Sequence, residues 1–133
     1  MTLSMTKSYK DLIAEAEAAA PSLSLADALA AYGCEETVFV DLRVIREIEK
    51  TGAIAGAFSC PRGLMEFWID PDSPYHKPVF AEDKVFVFYC DNGWRSALAA
   101  KAALEMGLQQ VFYLRGGFNG WIAEGGPAAP YKW

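Results

Sequence analysis

Histidine is nearly absent, with His76 alone in 133 residues, and cysteine occurs only three times, at Cys34, Cys60 and Cys90. A thiol hydrolase that needs an imidazole base therefore has one candidate. It sits among the prolines of residues 60–78, where a surface or hydrogen-bonded role is expected instead. Three cysteines without close repeated spacing make neither a disulfide framework nor a zinc site, so each is read as a free thiol. Positive charge is also short: 12 Lys and Arg stand against 17 Asp and Glu, for a net −5. A surface for nucleic acid or anionic membrane needs concentrated Lys and Arg, so neither partner is expected. No stretch approaches the roughly 18 apolar residues of a membrane span, and residues 1–10 lack an apolar leader core, so a cytoplasmic protein is expected. What is present is apolar content of 53%, in a length suited to one hydrophobic core.

Tyr9, Leu12, Ile13 and Ala16 fall at i, i+3, i+4 and i+7, which predicts an amphipathic helix over 8–20 that Pro21 ends. Ser24 with Asp27 three residues on resembles a capping box, so a short helix is predicted over 25–32, stopping at Gly33. Val38-Phe39-Val40, Val85 to Tyr89 and Val111 to Leu114 are apolar runs without polar alternation, the pattern of strands buried on both faces. Between the last two, Ala97, Ala100 and Leu104 mark a helix over 95–106 that Gly107 stops. Strand, helix, strand at this spacing is a βαβ unit, which predicts an α/β fold with a mostly parallel central sheet and helices on both faces. Residues 60–78 hold four prolines together with Phe67, Trp68 and Tyr75, and read as an ordered loop with one helical turn over 63–69. The tail after Pro127 reads as short and loosely held, with Tyr131 and Trp133 able to dock. The division expected is an N-terminal helical extension over 1–21, a domain over 22–127 and a tail over 128–133.

The most informative segment is Tyr89-Cys90-Asp91-Asn92-Gly93-Trp94-Arg95-Ser96. Cys90 ends a buried strand, Gly93 permits a tight turn and Arg95-Ser96 opens a helix. Such a turn gathers backbone N–H groups and the positive end of the helix dipole around one point, where a thiolate is stabilised. The thiolate is the form that attacks sulfur, phosphorus or a metal. Arg95 can add charge-assisted donors for an anionic substrate, and Trp94 can form an aromatic wall. A strand-terminal cysteine alone would read as a small buried hydrophobe; Gly93 and Arg95 before a helix favour the functional reading. Cys34 and Cys60 lack such a setting and read as structural, with Cys60 a resolving thiol only if the fold brings it close.

At this point the sequence resembles the rhodanese family. Val40-Asp41-Leu42-Arg43 is similar to the family's Asp-x-Arg, and Gly52 to Ala57 to its Gly-His-Ile-x-Gly-Ala, with Ala53 in the histidine position. The Cys90 to Ser96 segment resembles the six-residue active loop, and Leu114 to Trp121 the Leu-x-Gly-Gly-x-x-x-Trp hallmark. These motifs occur in the family's order across 41–121. The resemblance implies a single rhodanese-like domain and a sulfurtransferase that carries sulfane sulfur as a Cys90 persulfide. Asp91, Asn92, Gly93, Trp94 and Arg95 would form the persulfide-binding loop, with Asp41 and Arg43 as support residues that orient loops. Gly116, Gly117 and Trp121 would be structural.

The partners so implied are a small sulfane-sulfur donor and a thiol or protein acceptor, with no metal or organic cofactor required. Asp91, next to the nucleophile, is expected to oppose an anionic donor such as thiosulfate. Two other readings stand beside this one. A phosphatase or arsenate reductase would use Cys-x5-Arg where this chain has Cys-x4-Arg, a smaller cradle. A protein-interaction module would keep the fold and lose the chemistry.

Overall fold

The computed structural model describes residues 4–131. Helix α1 (Tyr9–Ala19) opens on a reciprocal cap, with Asp11 N–H donating to Ser8 Oγ at 3.2 Å and Ser8 N–H to Asp11 Oδ2 at 2.9 Å. Then come β1 (Ser22–Leu23), α2 (Leu25–Ala31) capped by Ser24, β2 (Thr37–Asp41) and α3 (Ile45–Thr51). Short strands β3 (Ala53–Ile54) and β4 (Phe58–Ser59) precede α4 (Met65–Ile69). The chain continues through β5 (Val85–Tyr89), α5 (Trp94–Met106), β6 (Val111–Leu114), α6 (Gly117–Ala123) and β7 (Ala128–Ala129).

Five strands form one parallel sheet in the order β1-β6-β5-β2-β4. This is the α/β architecture that the unalternated apolar runs predict. Burial on two faces explains the runs: Phe86 and Phe88 enter one apolar cluster with Ala97, Ala100 and Ala103 of α5 and Ala16 of α1. Val87 and Tyr89 enter the other, with Ala28 of α2 and Phe118 and Trp121 of α6. Helix α1 packs across α5, where alanines let the helices approach closely. Of its predicted stripe only Ala16 is fully buried; Tyr9 and Leu12 remain exposed.

Helices α3 and α6 and the two-residue strands β1, β3, β4 and β7 lie outside the elements expected from sequence. Helix α3 lies in the stretch between Arg43 and Gly52, and α6 follows directly on the glycine pair, with Gly116 and Gly117 both at positive φ. The tail is paired, since Ala128–Ala129 forms an antiparallel ladder with Ala53–Ile54, and Trp121 Nε1–H donates to Pro127 O at 2.9 Å. Ala128 and Ala129 are therefore held by backbone bonds, and Tyr131 is half-buried; Trp133 lies outside the described residues. In the proline-rich stretch the expected helical turn is present as a 3-10 turn followed by α4.

Asp41 and Arg43 form a bidentate ion pair that is 1% and 2% exposed. Arg43 Nη2 lies 2.8 Å from Asp41 Oδ2 and Nε 3.1 Å from Oδ1. The remaining donors reach Thr51 Oγ1 at 2.9 Å and Gly52 O at 2.8 Å, so no buried polar atom is stranded. Removing one partner of such a pair costs about 3–5 kcal/mol, because the other charge stays buried without compensation. Arg43→Met is accordingly expected to lower stability by that much in urea unfolding, and the double variant Asp41→Asn/Arg43→Met to recover most of the loss. A cost under about 1 kcal/mol for the single change would contradict a structural role.

Candidate active site

Cys90 follows the last residue of β5, a central strand, at the carboxyl edge where ligands of parallel sheets bind. Its side chain has no exposed surface. Gly93 adopts φ 106° and directs its N–H at Cys90 Sγ, 3.2 Å away. Ser96 Oγ lies 3.6 Å from the sulfur and Asn92 Oδ1 3.9 Å from it. The expectation that loop N–H groups converge on the sulfur needs a correction here. Asn92 N–H donates instead to Asp91 Oδ1 at 2.9 Å, and Trp94 N–H to Asn92 Oδ1 at 3.1 Å. Short polar side chains compete effectively for nearby backbone donors, and in this loop two of them do.

The loop is propped from behind by α6. Phe118 N–H donates to Cys90 O at 2.8 Å and Asn119 N–H to Asp91 O at 3.1 Å. The approach is so close that a Cβ on Gly117 would stand 2.5 Å from Asp91 O. Glycine is required there for space as well as for its positive φ. Phe118 in turn lies under the Arg43 guanidinium, 4.3 Å from the ring centroid, so the Asp41–Arg43 pair and the Cys90 loop share one support.

Arg95 does not hold both of its amino groups free for an incoming anion. Nη1 and Nη2 meet Glu47 Oε1 and Oε2 at 2.7 and 2.9 Å, and Nη2 also meets Asp91 Oδ1 at 3.0 Å. Asp91 is thus paired rather than set against the thiol as a lone charge. Glu47, the third member of this clamp, was not among the residues singled out from sequence. Its one local signal is its position three residues after Val44, whose N–H it accepts at 3.2 Å in a helix-capping arrangement. The Arg95 hydrogen bond holds the Glu47 carboxyl below its ordinary range against the opposing effect of burial. Burial pushes Asp91 up, but the Arg95 hydrogen bond and charge outweigh it and bring that carboxyl down as well. Arg95 is correspondingly raised, chiefly by its bond to Glu47.

Trp94, half exposed at the start of α5, packs against Tyr9 of α1 with ring centroids 5.3 Å apart. The N-terminal helix therefore contributes to the rim of the site. Cys60 is level with Cys90 in the sheet but lies beyond the extension of β2, with Cys60 N–H on Asp41 O and Leu42 N–H on Tyr89 O. Two strand spacings put the two cysteines about 10 Å apart, too far for a disulfide without backbone movement. Burial also pushes the Cys60 thiol up to about 12, which makes it a poor thiolate. Cys34 is exposed before the amino end of β2, away from the site. His76 Nδ1 lies 2.9 Å from Trp68 O, the hydrogen-bonded role expected of it. Among the described residues no group of three His, Cys, Asp or Glu could hold a metal ion, and no helix is long and apolar enough to cross a membrane.

The fold and site define a class: a parallel α/β domain that presents one thiol in a six-residue loop between a central strand and a helix. The model of the rhodanese-like domain matches residues 24–124, and the chain belongs to that family. Among solved structures it is similar to a protein of unknown function from Rhodopseudomonas palustris, described as a possible tyrosine phosphatase. The two share 51% identity and a TM-score of 0.94 over 97% of this chain and 99% of that one. A rhodanese-related protein from Thermoplasma volcanium is 27% identical, with a TM-score of 0.68 over 84% of this chain and 99% of its own. A human single-domain sulfurtransferase shares the fold at 23% identity and a TM-score of 0.67, over 79% and 97% of the two chains. No curated protein matches the sequence.

The clamp makes a prediction about pH. A carboxyl whose folded pKa lies below its unfolded value stabilises the fold above the unfolded pKa, and that stabilisation disappears as pH falls through the folded one. Glu47, Arg95 and Asp91 are 33%, 34% and 44% exposed, so solvent screening limits the gain to at most about 1 kcal/mol. Glu47→Gln is expected to lower the melting temperature by a few degrees at neutral pH, with the gap to wild type closing below about pH 4. A gap of constant size from neutral pH down to about pH 3 would show that the ionised carboxylate contributes nothing.

Proposed function

We propose that this protein is a sulfurtransferase that moves sulfane sulfur through a persulfide on Cys90. The observation that carries the reading is the Gly93 N–H aimed at Cys90 Sγ from 3.2 Å at the mouth of the parallel sheet. A donor there stabilises a sulfur anion, and family membership and the single-domain sulfurtransferase neighbour support the same chemistry.

The reaction is a double displacement. The Cys90 thiolate attacks the sulfane sulfur of a donor, a new S–S bond forms on Sγ, and the donor's own bond to that sulfur breaks with the electron pair leaving on the donor. A thiol of a small molecule or of an acceptor protein, as thiolate, then attacks the outer sulfur and returns Cys90 to its thiolate. Sγ is buried beneath the loop, so the Asn92 side chain must turn aside to admit the donor. That movement releases Trp94 N–H from Asn92 Oδ1. Trp94 N–H and Gly93 N–H then serve the outer sulfur together, in the manner of an oxyanion hole.

A phosphatase reading draws on the description of the Rhodopseudomonas palustris relative. Against it, the Cys90 to Arg95 spacing is one residue shorter than the phosphatase pattern, and a tetrahedral oxyanion needs the N–H groups and guanidinium that Asp91, Asn92 and Glu47 already occupy. One mass measurement separates these readings. Wild type exposed to sulfane-sulfur donors should gain one cyanide-releasable sulfur atom, and Cys90→Ser should gain none. Loading that persists in Cys90→Ser, or Cys90-dependent hydrolysis of an aryl phosphate without any loading, would overturn the assignment. A folded wild type that does neither would be an interaction module.

A further inference from the structure

The loop residue best able to bind an anionic donor, Arg95, is occupied. Glu47 takes both terminal amino groups of its guanidinium and Asp91 shares one of them. Two carboxylates and one guanidinium leave this cluster with a net charge of −1, with Asp91 next to the nucleophile in the chain. Glu47 is itself fixed, because Oε1 accepts the Val44 N–H at the start of α3. Beside the cluster stand two half-exposed rings, Trp94 and Tyr9, in contact with each other. A negative cluster beside exposed aromatic faces suits a body that is apolar or cationic, since a cation gains from both the carboxylates and the rings. The same cluster disfavours a dianion.

We infer that Glu47 is a specificity-determining positioning residue: by holding Arg95 on both amino groups, together with Asp91, it selects an organic persulfide with an uncharged or cationic carrier over the thiosulfate dianion. This rests on the persulfide reading of Cys90. With such a donor, R–S–SH, the Cys90 thiolate attacks the outer sulfur, the bond between the two donor sulfurs breaks, Cys90–S–SH forms, and RS⁻ leaves and takes a proton from water. With thiosulfate the same attack would expel sulfite and bring a second and third negative charge against the cluster.

The experiment compares cyanide-releasable sulfur loading from cysteamine persulfide and from thiosulfate, as a ratio of second-order rates, in wild type, Glu47→Gln, Asp91→Asn and Glu47→Asp. Wild type should favour cysteamine persulfide. Removing one unit of charge near a dianion at partly exposed groups changes its rate by about tenfold, so Glu47→Gln and Asp91→Asn should each shift the ratio toward thiosulfate by about that factor. Glu47→Asp keeps the charge and should keep the wild-type ratio. Wild-type loading from thiosulfate should also rise with salt, as screening weakens the repulsion, and less so in Glu47→Gln. A purely structural role for Glu47 would slow both donors alike and leave the ratio and the salt response where they were. A wild type that prefers thiosulfate, or a ratio unmoved by either neutralising change, would overturn the inference. Failure of wild type to load from any donor would instead overturn the persulfide reading on which it rests.

Discussion

Arg43 joins more of this molecule than any other side chain in the site. Its guanidinium closes on Asp41 at the end of β2, reaches Thr51 and Gly52 at the end of α3, and lies over the Phe118 ring. A guanidinium can do this because it is planar, always charged and carries five donors in fixed directions. Buried as it is, the charge needs every one of those partners. The consequence is geometric: the end of the strand that precedes α3 and the start of α6 are tied to one point.

From that point the Cys90 loop takes its position. Phe118, fixed beneath Arg43, donates its N–H to the carbonyl of Cys90, and Asn119 does the same for Asp91. The loop is therefore held by its carbonyls from one side, which leaves its N–H groups free to turn toward the sulfur or toward neighbouring side chains. In the resting form they are divided, one to Sγ and two to the Asp91 and Asn92 side chains. Glu47, carried by α3, reaches the loop from another direction and fixes Arg95. The same Arg43 that seats α6 also anchors the end of α3, so the support of the thiol and the charge of its surroundings have a common origin.

Much of this was legible from local pattern. The runs Val85 to Tyr89 and Val111 to Leu114 name their strands because burial on both faces removes polar alternation, and Ala97, Ala100 and Gly107 place the helix between them. Ser24 marks a helix start through a hydrogen bond that spans three residues. Helices α3 and α6 escaped because their signals are weak at short range: seven residues each, α3 without a Ser, Thr, Asp or Asn cap, α6 beginning on glycines that read as a turn. The two-residue strands escaped because a pairing that short leaves no periodicity. The Ala128–Ala129 ladder is held wholly by a partner more than seventy residues earlier.

The sequence by itself determined the parallel α/β fold and singled out the Cys90 loop, since strand burial, turn glycines and the helix start after Cys90 are all written within a few residues of one another. It also singled out Asp41 and Arg43 as a supporting pair. Only the tertiary structure decided what surrounds that thiol electrically. Arg95 and Asp91 looked like opposing influences on an anionic donor, yet Glu47, 48 residues from Arg95 along the chain, binds both amino groups of the guanidinium. Which charges face a site depends on side chains brought together through space, and Coulomb interactions follow distance in the fold rather than separation along the chain.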